Sequence, residues 1–146
     1  MEIERKFLVK TLPENLESYP CHQLEQGYLS TGPVVRVRKD NDKYELTYKG
    51  KGMMVREEYN LPLTKESYEH LKTKADGRII TKKRYKIPYG VYTIELDVFE
   101  GELAPLVLAE VEFVSEEEAN HFTAPDWFGE DVTFSKQYHN STLSRM

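Results

Sequence analysis

The first residues of the chain carry charges at a spacing that could support chemistry. Glu2, Glu4 and Lys6 alternate with Ile3 and Arg5. If this stretch is a strand, successive side chains point to opposite faces, so both carboxylates and the ammonium group share one face. Neighbouring carboxylates repel each other unless a cation lies between or opposite them. A solvated strand face would read the same way, so this motif needs support from the rest of the chain.

The same arrangement recurs on later strands and with both signs of charge. Like-charged residues two apart occur at Arg36 and Arg38 and again at Glu110 and Glu112. Collected over all strands, the carboxylates are Glu2, Glu4, Glu58, Glu95, Asp97, Glu110 and Glu112, and the cations are Lys6, Arg36, Arg38, Lys49, Arg56, Lys82 and Arg84.

Two interpretations of these charged faces are open. They could be the solvated outside of a barrel with an aliphatic core, or they could line its interior. An outer face usually mixes charge with Thr, Ser, Gln and Asn, whereas like-charged doublets repel each other on one side of a strand. A barrel of about eight strands has space inside for one small ligand. Carboxylate pairs there would suit Mg²⁺ or Mn²⁺, and Arg and Lys would suit phosphate. The number of cations favours a short polyphosphate chain.

The elements that must position these residues are mostly strands. Alternation of apolar and polar residues predicts strands at about residues 2–9, 24–30, 34–39, 43–49, 54–61, 78–87, 91–99 and 106–114. Thr64 is a candidate N-cap for a helix through about Lys74, and Ser115 opens a second short helix. A final helical turn is expected at 140–144. We see no linker or repeat, which predicts one α+β domain over residues 1–146. The expected fold is an eight-stranded antiparallel β-barrel, because closure leaves no bare strand edge.

Composition narrows the class of protein. The 146 residues fit one domain, and 20 basic against 25 acidic residues give a net charge of -5. That balance provides no basic field for nucleic acid. No apolar run is long enough for a membrane span, and no signal peptide is seen. Cys21 is the only cysteine, which excludes an internal disulfide and predicts a reducing, cytoplasmic location.

Several segments, taken in order, carry a resemblance to a known family. They are Glu2-Ile-Glu-Arg-Lys6, Tyr28-Leu, Val35-Arg-Val-Arg38, Tyr48-Lys-Gly50, Arg56-Glu-Glu-Tyr59, Lys82-Lys-Arg-Tyr85, Ile94-Glu-Leu-Asp-Val-Phe99 and Ala109-Glu-Val-Glu-Phe113. Together they resemble the CYTH family, the triphosphate tunnel metalloenzymes. The similarity is weaker at Val132-Thr133 and at Tyr138-His-Asn140. The resemblance implies an eight-stranded antiparallel tunnel that binds a triphosphate with a divalent metal, Mg²⁺ or Mn²⁺.

The resemblance also implies residue roles. Glu2, Glu4, Glu110 and Glu112 would be metal ligands, with Glu58, Glu95 and Asp97 as further candidates. Phosphates would be held by Lys6, Arg36, Arg38, Lys49, Lys82 and Arg84, with Arg56 and Lys136 as additional candidates. Tyr28 matches the position of a proton acceptor, and Lys6 is a second catalytic candidate. Tyr28 could instead be a barrel tyrosine with a hydrogen-bonded hydroxyl, and Lys136 a solvated lysine. Ser135 stands where the family often has an acidic residue, and the four histidines are expected on the surface.

The function expected from the resemblance is metal-dependent hydrolysis of inorganic tripolyphosphate to diphosphate and phosphate. Alternatives are a class IV type adenylate cyclase, a nucleoside or thiamine triphosphatase, and a polyphosphate- or nucleotide-binding module without turnover. A lipocalin-like carrier would need an apolar interior. The expected partner is a small-molecule triphosphate, with neither nucleic acid nor a membrane, and the chain could be a monomer or a homodimer.

Overall fold

Ten β-strands and three short α-helices make up the chain. The structure is a computed structural model that describes residues 1–146. The strands are β1 (Glu2–Val9), β2 (Cys21–Thr31), β3 (Val34–Asp40), β4 (Lys43–Lys49), β5 (Val55–Arg56), β6 (Glu58–Pro62), β7 (Asp76–Tyr89), β8 (Tyr92–Phe99), β9 (Val107–Glu112) and β10 (Phe128–Asp131). The helices are α1 (Lys65–Lys72), α2 (Glu116–Asn120) and α3 (Asn140–Leu143). Single 3-10 turns occur at Leu16–Ser18, Gly101–Leu103 and Lys136–Tyr138.

A broken strand closes the sheet into a barrel. All pairings are antiparallel, in the order β1-β9-β8-β7-β2-β3-β4-β6. The sequence predicts one continuous strand at 54–61, and this is wrong, because the strand is interrupted at Glu57. Its second half, β6, pairs with β4, whereas its first half, β5, pairs with β1 at Glu2 and Ile3. Counting β5 and β6 as one staggered strand gives the predicted eight-stranded antiparallel barrel, which is confirmed.

Strand β10 is an addition that the sequence analysis does not predict. It pairs with β1, where Phe7 lies opposite Asp131 and Val9 opposite Phe128. The backbone of Val132 then donates to the carbonyl of Lys6 at 2.8 Å. The C-terminal segment is therefore held against β1 before it reaches α3.

The helix starts follow the predicted caps. Thr64 and Ser67 form a reciprocal capping box at the start of α1, which ends at Lys72 rather than at about Lys74. The Ser115 hydroxyl accepts a hydrogen bond from the Glu118 N–H at the start of α2. None of the helices is long and apolar enough to cross a membrane.

Apolar side chains form two clusters, one on each side of the barrel wall. The outer cluster contains Phe7, Leu96 and Val111, and it is covered by Ala119 of α2 and by Phe128. The second cluster contains Ile80, Phe99, Leu108, Val132 and Leu143 among others. Ile80, Phe99 and Leu108 lie on the interior faces of their strands. They are two positions from Lys82, Asp97 and Glu110, respectively. At this end of the barrel the C-terminal segment therefore packs against apolar side chains that face the interior.

Candidate active site

Strand alternation places most of the predicted charged residues around one interior cavity of about 190 Å³. We call it the ionic cavity. The predicted residues that line it are Glu2, Glu4, Lys6, Tyr28, Arg36, Arg38, Lys49, Arg56, Glu58, Arg84, Glu95, Glu110 and Glu112. Three predicted site residues, Asp97, Lys82 and Lys136, do not line it. The solvated-outer-face interpretation therefore fails for the great majority of the set.

Three carboxylates from adjacent strands converge in this cavity. Glu95 on β8 lies directly opposite Glu110 on β9, and Glu4 on β1 lies two residues from Lys6, the partner of Glu110. One oxygen from each of Glu4, Glu95 and Glu110 lies within 4.8 Å of the others. Opposed ligands of an octahedral Mg²⁺ are about 4 Å apart, because each metal–oxygen bond is about 2.1 Å. The donor set and its spacing therefore fit a hard divalent cation.

The protonation of the carboxyls shows where positive charge is needed. Burial raises the pKa of Glu4 well above its ordinary value, and the neighbouring charges of Glu110 and Glu2 raise it further. Burial would also raise the pKa of Glu110, but Lys6 and Arg84 hold it well below the ordinary range. Glu4 is thus the carboxylate of this group that lacks sufficient positive charge, which a bound cation would supply.

A second ionic group lies beside the first. The Lys49 ammonium contacts Glu2 at 3.0 Å and Glu58 at 3.6 Å. Burial raises the pKa of Glu2. Burial would also raise the pKa of Glu58, but Lys49, the hydrogen bonds to Glu2 and Asn60, and Arg36 together lower it. Glu112 is exposed and lines the same cavity, and its pKa is raised by partial burial and by Glu2 and Glu58. Glu2, Glu58 and Glu112 thus line the same cavity as Glu4, Glu95 and Glu110 but are not part of that converging group.

The two arginines of β3 are held by uncharged partners, so their charges stay available. Gln26 Oε1 accepts from Arg38 Nε at 2.9 Å and from Arg38 Nη2 at 2.7 Å. Arg36 Nη2 donates to Thr47 Oγ1 at 3.1 Å, and its buried Nε has no partner. Burial and the adjacent arginines Arg36 and Arg84 lower the pKa of Arg38 to about 10, so it is still a cation at neutral pH. Neither arginine contacts a carboxylate, which leaves both suited to an anionic ligand.

Asp97 and Lys82 lie in a fully buried ionic layer behind the cavity. Arg84 Nε and Nη2 donate to the two oxygens of Asp97 at 2.7 and 2.8 Å, and Lys82 Nζ lies 2.7 Å from Asp97 Oδ2. The Lys82 ammonium also donates to Asn140 Oδ1 at 2.9 Å and lies 5.1 Å from the centre of the Phe99 ring. Burial lowers the pKa of Lys82 to about 7, although Asp97 opposes that shift. Both oxygens of Asp97 are thus occupied by cations of the chain itself.

The two catalytic candidates both line the cavity. The Tyr28 hydroxyl accepts a hydrogen bond from Gln26 Nε2 at 3.0 Å, and the side chain is almost fully buried. The Lys6 ammonium donates to the carbonyl of Tyr138 at 3.1 Å and lies 3.6 Å from Glu110 Oε1. The Tyr28 hydroxyl is thus hydrogen-bonded, as one alternative requires, and the residue lines the cavity, as the other requires.

Sequence reasoning missed several residues of the cavity, most of them uncharged. They are Glu45, Asn60, Thr133, His139, Asn140 and Ser141. The surface expectation is wrong for His139, which is half-buried in the cavity wall. Burial, Lys6 and Arg56 lower its pKa to about 4, so it is neutral at neutral pH. The weak similarity at Tyr138-His-Asn140 was the one signal that could have identified it.

Lys136 lies in the wall of a second cavity of about 690 Å³. Its side chain is exposed and forms neither a hydrogen bond nor an ion pair. Arg56 and His139 line both cavities. The two spaces are therefore neighbours, with Lys136 on the far side of a shared wall.

Comparison with known proteins agrees with this geometry. The model of the CYTH domain matches residues 1–146. The chain belongs to the CYTH family. It is 44% identical over 149 residues to an inorganic triphosphatase of Nitrosomonas europaea, covering 98% of this chain and 96% of that protein. It is 37% identical over 152 residues to an inorganic triphosphatase of Acetivibrio thermocellus, covering 97% of this chain and 92% of that one.

A solved structure extends the agreement to the fold. The crystal structure of an inorganic triphosphatase superimposes with a TM-score of 0.74 at 39% identity, covering 100% of this chain and 95% of that chain. The CYTH fold therefore accounts for the barrel and for the charged interior together. Membership of this family of tunnel metalloenzymes implies a divalent metal, and the converging carboxylates of Glu4, Glu95 and Glu110 fit one.

Proposed function

We propose that this CYTH protein hydrolyses inorganic tripolyphosphate to diphosphate and phosphate in a metal-dependent reaction. One observation carries the proposal. A metal-suited carboxylate group and carboxylate-free arginines line the same small cavity, so one ligand can contact both. The inorganic triphosphatases to which the chain is 44% and 37% identical support the same reaction.

We propose Mg²⁺ or Mn²⁺ as the metal, held by Glu4, Glu95 and Glu110. Glu2, Glu58 and Glu112 would contribute through their charge or through bound water. When bound, such an ion supplies Lewis-acid neutralisation of phosphate oxygens. The raised pKa of Glu4 supports this choice, because the site as built from the chain alone is short of positive charge there.

The cations of the chain would bind and orient the phosphates. Arg36 has a buried Nε without a partner, and an anionic oxygen would satisfy it. Arg38 is already oriented by Gln26, so little side-chain entropy remains to be lost on binding. Each charge-assisted hydrogen bond contributes about 1.5–3 kcal/mol. Lys6 and Lys49 contact Glu110 and Glu2 and line the same cavity, where they would neutralise charge on the phosphoryl groups.

Arg84 and Lys82 act differently in this proposal. Both are engaged by Asp97, and Lys82 does not reach the cavity. We propose that Asp97 positions Arg84, whose Nη1 and Nη2 atoms lie 3.3 and 3.4 Å from Glu95 and Glu110. Arg84 would in turn contact both carboxylates and help to keep Glu110 ionised. Asp97 and Lys82 would thus be buried positioning residues, and neither would contact the metal or the phosphates.

Hydrolysis requires a water molecule to attack the terminal phosphorus and to lose a proton. We propose that Tyr28 orients this water and relays its proton, accepting it on the phenolic oxygen as the phenol releases its own proton to solvent, with Gln26 donating to that oxygen. Lys6 would stabilise the charge that develops on the transferred phosphoryl group. The P–O bond to the remaining diphosphate breaks as the new P–O bond forms.

The volume of the ionic cavity suits an inorganic phosphate chain, and a nucleoside would have to lie outside it. Pockets for drug-sized ligands occupy roughly 300–1,000 Å³, whereas the ionic cavity occupies about 190 Å³. We further propose that the protein acts in the cytoplasm, which its single, unpaired Cys21 supports.

Phosphate release tests the proposal. Tripolyphosphate, ATP, GTP and thiamine triphosphate are compared with Mg²⁺ or with Mn²⁺, and cyclic AMP is measured beside phosphate. We expect tripolyphosphate to be the preferred substrate, with activity abolished by EDTA. Cyclic AMP formation from ATP, or binding of tripolyphosphate without release of phosphate, would overturn it.

A further inference from the structure

The second cavity, which we call the basic cavity, has a one-sided charge. Its basic wall residues are Lys51, Arg56, Lys136, His139 and Arg145, and its wall contains neither Asp nor Glu. This is unexpected in a chain with 25 acidic and 20 basic residues. The ionic cavity next to it mixes both signs. Without carboxylates, the basic cavity has no ligands for a hard divalent cation.

The cations of the basic cavity are not neutralised by the protein. Arg56 Nε donates to the carbonyl of Gly50 at 3.2 Å, and Arg145 Nη1 donates to Thr31 Oγ1 at 2.9 Å. The side chains of Lys51 and Lys136 have no hydrogen-bond or ion-pair partner, and none of the four cations contacts a carboxylate. Positive charges gathered without counterions attract anions.

The loop that carries Lys51 has a fixed shape. Gly52 has a φ of 122°, a backbone conformation that favours glycine. A Cβ atom at this position would lie 2.2 Å from the carbonyl oxygen of Val55. The turn therefore folds tightly onto β5, and the Arg56 bond to Gly50 ties it to the wall shared with the ionic cavity.

The two cavities are continuous in their walls. Val34, Met53, Arg56, His139 and Ser141 line both of them. An anionic chain that fills the ionic cavity would thus meet Arg56 and His139 at its edge. The next cations beyond that edge are Lys51, Lys136 and Arg145.

We propose that the basic cavity is a metal-independent phosphate-binding site that extends the ionic cavity beyond three phosphates. Its ligand is a phosphoryl group, either the tail of a linear polyphosphate longer than three or an orthophosphate ion. The role as an extension rests on the proposed function. The binding of phosphate by the basic cavity itself does not.

Calorimetric titration in EDTA distinguishes a polyphosphate tail from orthophosphate as the ligand, because EDTA removes the metal and thereby blocks turnover. The probes are orthophosphate, tripolyphosphate and linear polyphosphates of more than three phosphates. The test variant is Lys51→Ala/Arg145→Ala. The matched control is Lys43→Ala/Lys83→Ala, which removes two exposed lysines that line neither cavity.

The wild-type protein should bind the longer chains at least tenfold more tightly than tripolyphosphate if the ligand is a tail, and the test variant should lose that gain. If the ligand is free phosphate, orthophosphate should bind beside saturating tripolyphosphate and should fail to do so in the variant. Equal affinities in the wild type and the test variant for every probe would overturn the proposal. An equal loss in the control would also overturn it, since general charge would then explain the effect.

Hydrolysis of tripolyphosphate with Mg²⁺ is measured in parallel. Its absence would refute the proposed function, whereas a chain-length or orthophosphate effect that depends on Lys51 and Arg145 would still establish the basic cavity as a phosphate site. Normal hydrolysis without any such effect would refute the basic cavity alone.

Discussion

Replacing Asp97 by Asn separates a buried counterion from a metal ligand. The carboxylate is fully buried and accepts from Arg84 at 2.7 and 2.8 Å, with Lys82 at 2.7 Å. Asp97→Asn keeps the shape but leaves the buried Arg84 guanidinium without its anion, whereas Lys82, with a pKa of about 7, can lose its proton. Removing one partner of a buried ion pair costs about 3–5 kcal/mol. At about 2–4 °C per kcal/mol for a domain of this size, the melting temperature should fall by roughly 6–20 °C.

Urea unfolding in EDTA measures this loss without interference from a metal. Glu95→Gln is the matched control, because Glu95 lies on the same strand face but is partly exposed, and its loss should cost at most about 1 kcal/mol. Arg84 and Lys82 outweigh burial and hold the pKa of Asp97 below 3.8, so its stabilisation is present above that value and is lost in acid. The difference between wild type and Asp97→Asn should therefore shrink as the pH falls below 3.8. An unfolding free energy within about 1 kcal/mol of wild type at pH 7 would refute the counterion role.

Three further predictions use other parts of the structure. Glu4→Gln should abolish metal-dependent hydrolysis yet leave the metal-free melting temperature equal or higher, because the raised pKa of Glu4 means that its ionised form destabilises the fold; a lower melting temperature measured in EDTA would contradict this. Asp131→Asn should cost about 1 kcal/mol at pH 7 in urea unfolding, since hydrogen bonds from Thr133 and Arg5 outweigh burial and lower the pKa of Asp131, and this cost should vanish in acid. Tripolyphosphate with Mg²⁺ at about 100 times its dissociation constant should stabilise the wild type by about 2.7 kcal/mol in a thermal scan, and no shift at millimolar ligand would count against binding.

Strand alternation was enough to predict which side chains share the interior. Glu2, Glu4 and Lys6 point inward together because the period of a strand is two residues. The like-charged doublets on β3 and β9 then identified the ionic cavity, since repulsion within a doublet needs charges of opposite sign across the barrel. The barrel itself followed from the number of strands and from the need to cover strand edges.

The position of each inward-facing residue along the barrel axis could not be predicted in the same way. Lys82 and Arg84 share a strand face, yet only Arg84 reaches the cavity, because the position of each residue depends on register with β2 and β8. The break at Glu57 also depends on tertiary pairing, as β5 and β6 bond to different strands. His139 was missed because a polar tail without periodicity gives no indication of what it packs against.

We expect one metal ion and one triphosphate to occupy the ionic cavity together. A crystal structure with Mn²⁺ and tripolyphosphate, read by anomalous scattering, tests it most directly. We expect a manganese peak bounded by Glu4, Glu95 and Glu110, with phosphate oxygens on Arg36 and Arg38. Manganese bound elsewhere, or phosphate found only outside the barrel, would contradict it.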